Sequence, residues 1–170
     1  MRSLGFQEIA RFTRVKRKVT QASREEGLIS FDEEVWATVE ASRLMRLTGY
    51  VPYGWVFVHL TRAIVHPLCN KAALQKVAGG IACLSPPDET EEGTLDFGLV
   101  AGRAASLLRA VPAVGHRLGF REVHAFLPHD PRILGAAKAA GYRRETWGQG
   151  AILFERRIDL GSTSYRRRPT

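Results

Sequence analysis

A short segment of small residues stands where the predicted structure changes from strand to helix, a place where phosphate groups are commonly bound. Residues 99–108 read LVAGRAASLL, so Gly102, Arg103 and Ala104 lie between the end of a strand and the first turn of a helix. Backbone N–H groups and the positive end of the helix dipole attract a phosphate there, provided that no side chain blocks its approach. A tight structural corner needs the same small residues and is the simpler interpretation. On the sequence alone both interpretations stay open.

The other chemically versatile side chains form no recognisable motif. His124 falls on a predicted strand and His129 beside an acid in a loop, and neither has a partner at the spacing of metal ligands. We therefore predict structural histidines and no metal site. Cys69 and Cys83 lack the spacing of a redox or zinc motif and are expected to be small buried residues in a reducing compartment. Neither a G-x-S-x-G nor a P-loop segment is present.

The composition is that of an ordinary globular protein with a strong positive charge. The chain has 170 residues, of which 45% are hydrophobic and 25% charged, which suits a single main domain. The formal net charge of +8 points to acidic partners, either other protein subunits of a larger assembly or nucleic acid. No apolar run reaches membrane-spanning length and no secretion signal follows the N-terminus. We therefore expect no membrane partner, no secretion, and a location in the cytoplasm or within a viral particle.

The N-terminal segment combines basic residues with a helical spacing of apolar ones. Residues 2–24 contain seven arginines and lysines, and apolar residues recur there at intervals of three and four, namely Ile9, Phe12, Val15, Val19 and Ala22. This pattern predicts an amphipathic basic helix within residues 1–27, as an extension of the main domain. Its basic face either is solvated or docks on an acidic subunit or nucleic acid. Residues 161–170, with arginines at 166–168, are predicted to be a basic tail with the same choice of partners.

Helix and strand signals alternate through the rest of the chain. Residues 30–49 predict a helix with Ser30 or Asp32 as its N-cap. Residues 80–85 and 94–100 predict an antiparallel pair of strands joined by the polar segment PPDETEEG. The other predicted elements are strands at 55–60, 122–127, 143–148 and 151–158 and helices at 68–77, 103–117 and 130–140. The alternation indicates a layered α/β domain with a mixed sheet.

A characteristic order of features occupies residues 118–158. Gly119-Phe120 ends a predicted helix, a strand follows, Asp130 opens a short helix, and Gly141-Tyr142 precedes a closing hairpin. Asp130 can cap the helix that Pro131 begins, and Gly141 can adopt the left-handed conformation that ends it. This order resembles the C-terminal half of the GCN5-related N-acetyltransferase fold.

The resemblance covers about half of the chain and implies a fold for it. The strand pair predicted at 80–100 is similar to the family's central hairpin, so the resemblance covers about residues 80–158. It implies a mixed, mostly antiparallel sheet flanked by helices in a domain at 28–160, to which the basic N-terminal helix is added.

The resemblance also implies a cofactor. In the family, acetyl-CoA places its pyrophosphate over the N-terminus of the helix that follows the fourth strand, on a glycine-rich loop. The corresponding residues here are Leu99, Val100, Gly102, Arg103 and Ala104. Several residues of the usual loop are absent between Val100 and the helix. Acetyl-CoA is the only cofactor implied.

Catalysis in the family implies further residues. A substrate amine attacks the thioester directly, often with a carboxylate as base and a tyrosine as acid. Asp96, on the strand before the turn, is the best-placed carboxylate, and Glu92 lies at the edge of the hairpin. Residues 136–138 offer no hydroxyl where the family usually has its tyrosine, and Tyr142 is predicted to be a core residue.

Two functions from different classes follow. The shortened loop and the missing tyrosine favour a non-catalytic structural or assembly module of a larger particle, such as a virion or a ribonucleoprotein. The alternative is an active acetyl-CoA-dependent N-acetyltransferase that transfers an acyl group to an amine. A dedicated nucleic-acid-binding domain rests on charge alone and lacks a recognition motif.

Overall fold

The computed structural model describes residues 6–21, 30–145 and 150–156. The strands are β1 (Phe6–Lys18), β2 (Tyr50–Tyr53), β3 (Val56–His59), β4 (Leu74–Val77), β5 (Gly80–Leu84), β6 (Thr94–Ala101), β7 (Glu122–Pro128), β8 (Arg143–Arg144) and β9 (Ala151–Arg156). The helices are α1 (Glu33–Ala41), α2 (Arg43–Thr48), α3 (Arg62–Asn70), α4 (Ala104–Arg117) and α5 (Pro131–Ala139), and a short 3-10 helix spans Pro87–Glu89.

Seven of these strands form one mixed sheet. Its order is β4-β5-β6-β7-β1-β8, with β9 also paired to β1, while β2 and β3 form a separate hairpin. Only the β6–β7 pair is parallel among the pairs that the described residues form. Helix α4 connects these two strands, as a parallel connection requires. The mixed, mostly antiparallel sheet flanked by helices that the resemblance implied is thus confirmed.

The basic helix predicted at the N-terminus is wrong over residues 6–18, which form the strand β1. This strand pairs with β7 along one edge and with β8 and β9 along the other. Its apolar residues contact both faces of the sheet, because Val15 belongs to one core while Phe12 packs against Phe57 on the opposite face. A strand buried on both faces loses strict alternation, and the spacing of three then imitates a helix. The boundaries predicted at residues 27 and 160 lie outside the described residues and stay predictions.

The other predicted elements are largely confirmed, with two corrections. The helix predicted at 30–49 is divided at Ser42, whose Oγ accepts a hydrogen bond from Leu44 N at 3.2 Å and so caps α2, while Asp32 caps α1. The helix predicted at 68–77 is wrong beyond residue 70, because α3 spans Arg62–Asn70 and Leu74–Val77 is the edge strand β4. Ala72, with φ of +55°, makes the turn between them.

The C-terminal half follows its sequence signals closely. Asp130 accepts hydrogen bonds from Arg132 N at 2.9 Å and Ile133 N at 3.1 Å, so it is the cap of α5. Gly141 has a φ of +83° just after that helix, and Tyr142 is buried against the sheet. The strand predicted at 143–148 is the short β8, and residues 146–149 lie outside the described part of the chain.

Apolar residues cover both faces of the sheet. One core lies between the sheet and helices α4 and α5, with Phe97, Leu107 and Leu127 among its fully buried members. The other lies between the opposite face and helices α1 to α3, with Val39 and Val100 in it. Within the described residues no helix has the length and apolar character needed to cross a bilayer.

The β2–β3 hairpin lies across the same face as α1 to α3. Pro52 packs so closely on Gly98 of β6 that a Cβ added to Gly98 would lie 2.5 Å from Pro52 Cδ. On the neighbouring strand of the hairpin, Phe57 packs edge-on against Phe126 of β7 and is tilted against Phe12 of β1, with ring centroids 5.4 and 4.6 Å apart. The hairpin therefore spans the sheet from β6 to β1.

The turn from β6 into α4 is a tight corner built on two glycines. Gly102 has a φ of +102°, and a Cβ placed on it would lie 2.8 Å from Gly80 Cα at the start of β5. A side chain on Gly80 would in turn lie 2.5 Å from Ala101 O. Only glycine combines this dihedral angle with this approach of backbone to backbone. The corner interpretation of residues 99–108 therefore has a structural basis.

Substitution of Gly102 by alanine should destabilise the fold by about 1–3 kcal/mol, because both the dihedral angle and the contact with Gly80 resist a Cβ. Gly135 provides the matched control, since it lies inside α5 and a methyl group placed on it would meet no other atom within 4 Å. Gly135→Ala should stabilise the protein by about 0.5–1 kcal/mol. Thermal unfolding of both variants measures the difference, and equal melting temperatures would contradict a strained corner.

Candidate functional site

The two parallel strands of the sheet, β6 and β7, pair along only part of their length. Strands β6 and β7 pair in register only from Thr94 and Glu122 to Phe97 and Ala125. Beyond Phe97 both strands continue, to Ala101 and to Pro128, without forming a ladder with each other in the described structure. We call the opening between these two unpaired segments the wedge. Along this segment the two strands form no backbone ladder with each other, as at a sheet edge.

A cavity lies at the outer end of the wedge. It has a volume of about 520 Å³ and is bounded by α2, by the corner after β6 and by the first turn and a half of α5. Three arginines line it, one from each of these elements: Arg43, Arg103 and Arg132. None of the three forms an ion pair with another described residue. We call this cavity the groove, and its excess of positive charge favours an anionic ligand.

The N-terminus of α4 opens into the groove. Arg103 occupies the N-cap position and supplies no side-chain hydrogen bond, so the first N–H groups of the helix have no side-chain cap. The first two helical residues, Ala104 and Ala105, line the groove and carry only methyl groups. Helix dipole, uncapped N–H groups and arginines thus act on the same space, which is the arrangement that binds phosphate groups.

The structure separates the residues predicted to bind the cofactor into two groups. Gly102, Arg103 and Ala104 line the groove together. The side chains of Leu99 and Val100 are buried, Leu99 in the core under α4 and α5 and Val100 in the core under α1 to α3. The backbone groups of Leu99 and Val100 lie in the segment of β6 that does not pair with β7. Sequence reasoning missed Arg43 and Arg132, which lie far apart in the chain and meet only in the fold.

A buried polar pair lies at the inner end of the wedge. Asp96 and His124 face each other in register on β6 and β7, with 3.8 Å between Asp96 Oδ1 and His124 Nδ1. Both residues are buried, and Asp96 Oδ1 has no hydrogen-bond partner. Burial raises the pKa of Asp96 above its ordinary value; nearby His124 and Arg14 oppose this rise. An unpaired buried carboxylate with a raised pKa is typical of a proton acceptor in a functional site.

Arg14, from β1, connects this pair to two further carboxylates. Its Nη2 lies 2.9 Å from His124 Nδ1 and donates to Glu91 Oε1 at 3.0 Å. Its Nε lies 2.8 Å from Glu145 Oε2 as an ion pair without hydrogen-bond geometry. The sequence prediction missed Arg14 because it placed the residue on a helix. On a strand, Arg14 shares a face with Phe12 and Lys16 because side chains alternate between the two faces. This alternation is the sequence signal that could have placed Arg14 on the sheet.

The remaining residues considered from the sequence lie elsewhere. Glu92 is exposed, and its neighbour Glu91 is the carboxylate that reaches Arg14. His129 contacts Thr13, with 2.9 Å between Nδ1 and Oγ1. Tyr142 is a core residue whose phenol pKa is raised by burial, and its hydroxyl has no hydrogen-bond partner. Arg17 lies over its ring at 5.9 Å.

The cysteines do not contribute to the site. Cys69 and Cys83 are both buried and unbridged. Burial raises the pKa of the Cys83 thiol to about 12, so that it stays protonated and unreactive. Within residues 6–21, 30–145 and 150–156, no group of three histidine, cysteine, aspartate or glutamate side chains is arranged to hold a metal ion.

The two ends of the site are joined by one strand. Gly102, directly after β6, lies six positions along the chain from Asp96, which corresponds to about 20 Å of extended chain. A single ligand that contacts both must therefore be anionic at one end and must continue as a long, narrow arm. The chemistry available to it is anion binding in the groove and proton acceptance at Asp96.

Comparison with known proteins gives limited matches. No protein-family model and no curated protein sequence matches this chain. Among solved structures, the chain is similar to a GCN5-related N-acetyltransferase from Sphaerobacter thermophilus, with 15% sequence identity and a TM-score of 0.45. The match covers 83% of this chain and 50% of that protein, so the chain spans about half the length of the protein it matches.

Proposed function

We propose that this chain binds an acyl-CoA thioester in the wedge and transfers its acyl group to an amine. The observation that carries the proposal is the unpaired segment of β6 and β7, which begins two residues after the buried Asp96 and ends at the arginine-lined groove. Acyl-CoA has the shape that this geometry requires, with phosphates at one end and a long arm that ends in a thioester.

The groove would hold the phosphates. Arg43, Arg103 and Arg132 supply charge-assisted donors from three different elements, and the first turn of α4 supplies uncapped N–H groups. The shortened turn at Gly102 leaves fewer backbone donors than a glycine-rich loop has. The three arginines compensate for that loss.

Asp96 would act as the general base. The bound thioester supplies an electrophilic acyl carbon, and amine attack forms a C–N bond while the C–S bond breaks. Asp96 accepts the proton that the amine nitrogen loses, and the departing thiolate ends as a thiol, so that one proton moves from amine to sulfur overall. A base with a pKa raised toward neutrality is well matched to this task.

A second candidate is the non-catalytic module that the sequence favours. Its supporting observation is the β2–β3 hairpin, which covers the sheet over the wedge and presents Trp55 and Val56 to solvent, 72% and 56% exposed. In this case the hairpin surface and the basic residues would contact protein subunits or nucleic acid of a larger particle, such as a virion. The basic N-terminal helix no longer supports it, because β1 belongs to the sheet.

Replacement of groove arginines should weaken acetyl-CoA binding. We expect Arg103→Glu and Arg132→Glu each to raise the dissociation constant about ten- to hundred-fold, because each removes a charge-assisted contact and adds a repulsion. Isothermal titration calorimetry of the full chain measures the effect. Arg109→Glu is the matched control, since this arginine is exposed on the same helix α4 but does not line the groove. Undetectable binding of acetyl-CoA by the unsubstituted protein would remove the first candidate in favour of the second.

Replacement of the proposed base should separate binding from turnover. Asp96→Asn should lower kcat for amine acetylation by about 10²–10⁴-fold and leave the dissociation constant of acetyl-CoA unchanged. Asp88→Asn, in the exposed 3-10 helix, is the control and should behave as the unsubstituted protein does. The rate of acetylation is measured by the release of free CoA thiol. Full activity of Asp96→Asn would exclude Asp96 as the base.

The same substitution should stabilise the fold at neutral pH. The folded state raises the pKa of Asp96, so it binds this proton more tightly than the unfolded chain does. The free energy of unfolding therefore falls as pH rises through the interval between the ordinary carboxyl pKa and the raised one. Asp96→Asn removes this pH-dependent loss of unfolding free energy, because asparagine does not ionise. We expect a higher melting temperature than that of the unsubstituted protein at pH 7 and a smaller difference at pH 4, measured by thermal unfolding; a lower melting temperature at pH 7 would show that the charged carboxylate stabilises the fold.

A further inference from the structure

The imidazole of His124 lies between a cation and an anion. Its Nδ1 lies 2.9 Å from Arg14 Nη2, and its Nε2 lies 3.5 Å from Glu122 Oε2. His124 is only 2% exposed, so water does not compete freely for either nitrogen. The two ring nitrogens therefore face opposite kinds of partner inside the protein.

We propose that Arg14 is a positioning residue of the site: it holds His124 in the tautomer with its proton on Nε2 and so leaves Asp96 as the proton acceptor. This inference rests on the proposed function, because it assigns a purpose to the Asp96–His124 pair. The contacts of the imidazole, however, can be tested without any reaction.

The assignment follows from the chemistry of the guanidinium group. Arginine only donates hydrogen bonds and keeps its charge at every relevant pH. Nδ1 must therefore accept from Arg14, and a ring that accepts at Nδ1 carries its proton on Nε2. That proton faces the carboxylate of Glu122, which is the favourable partner for it.

The consequence for Asp96 is that His124, in register with it on β7, cannot donate a hydrogen bond to it. Nδ1 is the imidazole nitrogen closest to Asp96 Oδ1, and its lone pair is engaged by Arg14. Asp96 Oδ1 therefore stays without a donor, as is observed. If Nδ1 carried a proton, His124 would pair with Asp96 and hold its carboxylate in the charged form, a weaker base.

Arg14 is itself held in place from several elements. Glu91, before β6, and Glu145, after β8, contact its guanidinium, and the ring of Phe126 lies 5.6 Å from it. Lys16 shares Glu145 with it, with 3.3 Å between Nζ and Oε1. Counted together, the charged and titratable groups around Asp96 and His124 are Arg14, Lys16, Glu91, Glu122 and Glu145.

Nitrogen-15 NMR of the full chain at pH 7 tests the tautomer directly, with the His124 signals assigned by comparison with His124→Asn. We expect the Nε2–H tautomer in the unsubstituted protein, and an Nδ1–H ring in Arg14→Met, in which no donor engages Nδ1. Arg14→Lys keeps a donor and should retain the Nε2–H form. Arg11→Met is the control, because Arg11 lies on the same strand but is exposed and pairs only with Glu8 among the described residues.

The NMR result for His124 can be distinguished from the acetyl-CoA binding and turnover that test the proposed function. An Nδ1–H ring in the unsubstituted protein overturns the proposal even if acetyl-CoA binds and turns over, and so does an unchanged tautomer in a folded Arg14→Met. If Arg14→Met fails to fold, the tautomer in the spectrum of the unsubstituted protein still tests the proposal, because an Nδ1–H ring there overturns it. If turnover is present, Arg14→Met should lower kcat by up to about a hundredfold with unchanged acetyl-CoA affinity, and Arg14→Lys should restore part of it.

Discussion

The hydrogen-bond ladder between β6 and β7 ends at Phe97 and Ala125, and the candidate site depends on where it ends. If the two strands paired along their whole length, β6 would be an interior strand with no unpaired backbone segment between Asp96 and the groove. The corner at Gly102 closes the unpaired segment of β6, because it turns the chain into α4 directly after Ala101. Helix α5 begins just beyond β7 and forms the opposite wall of the groove. One interruption of pairing thus gives both the wedge and the cavity at its outer end.

The parts of the fold that the sequence predicts well are those with local signals. Asp130, Gly141 and the run at 94–100 each act on residues within a few positions, through capping, left-handed backbone or strand propensity, and each is found as predicted. Strand β1 is different, because its partners in β7 lie more than 100 residues further along the chain. No local pattern specifies such a pairing, and a basic segment with apolar residues on both faces imitates a helix. Arg14 was missed for the same reason.

The site was predictable only in its strand positions. Asp96 and the turn at Gly102 could be placed because they lie on β6, whose pattern is clear. The three groove arginines come from α2, from the corner and from α5, so only tertiary structure assembles them. A glycine-rich loop would bind an anion through consecutive backbone N–H groups, which leave a motif in the sequence. Side-chain donors from separate elements leave no such motif. The shortened loop alone therefore does not decide whether this chain binds a phosphate.

The hydrogen bonding around Asp96 differs from that expected of a network selected only for stability. Arg14 is close enough to the Asp96–His124 pair to influence the charge of Asp96, yet its contacts go to His124, Glu91 and Glu145. A network selected only for stability would be expected to satisfy its most buried carboxylate first, because an unpaired buried oxygen costs more than an exposed one. Here the exposed Glu91 is paired and the buried Asp96 Oδ1 is not. The fold thus tolerates a destabilising carboxylate at the inner end of the wedge, which is the position where a proton acceptor would be useful.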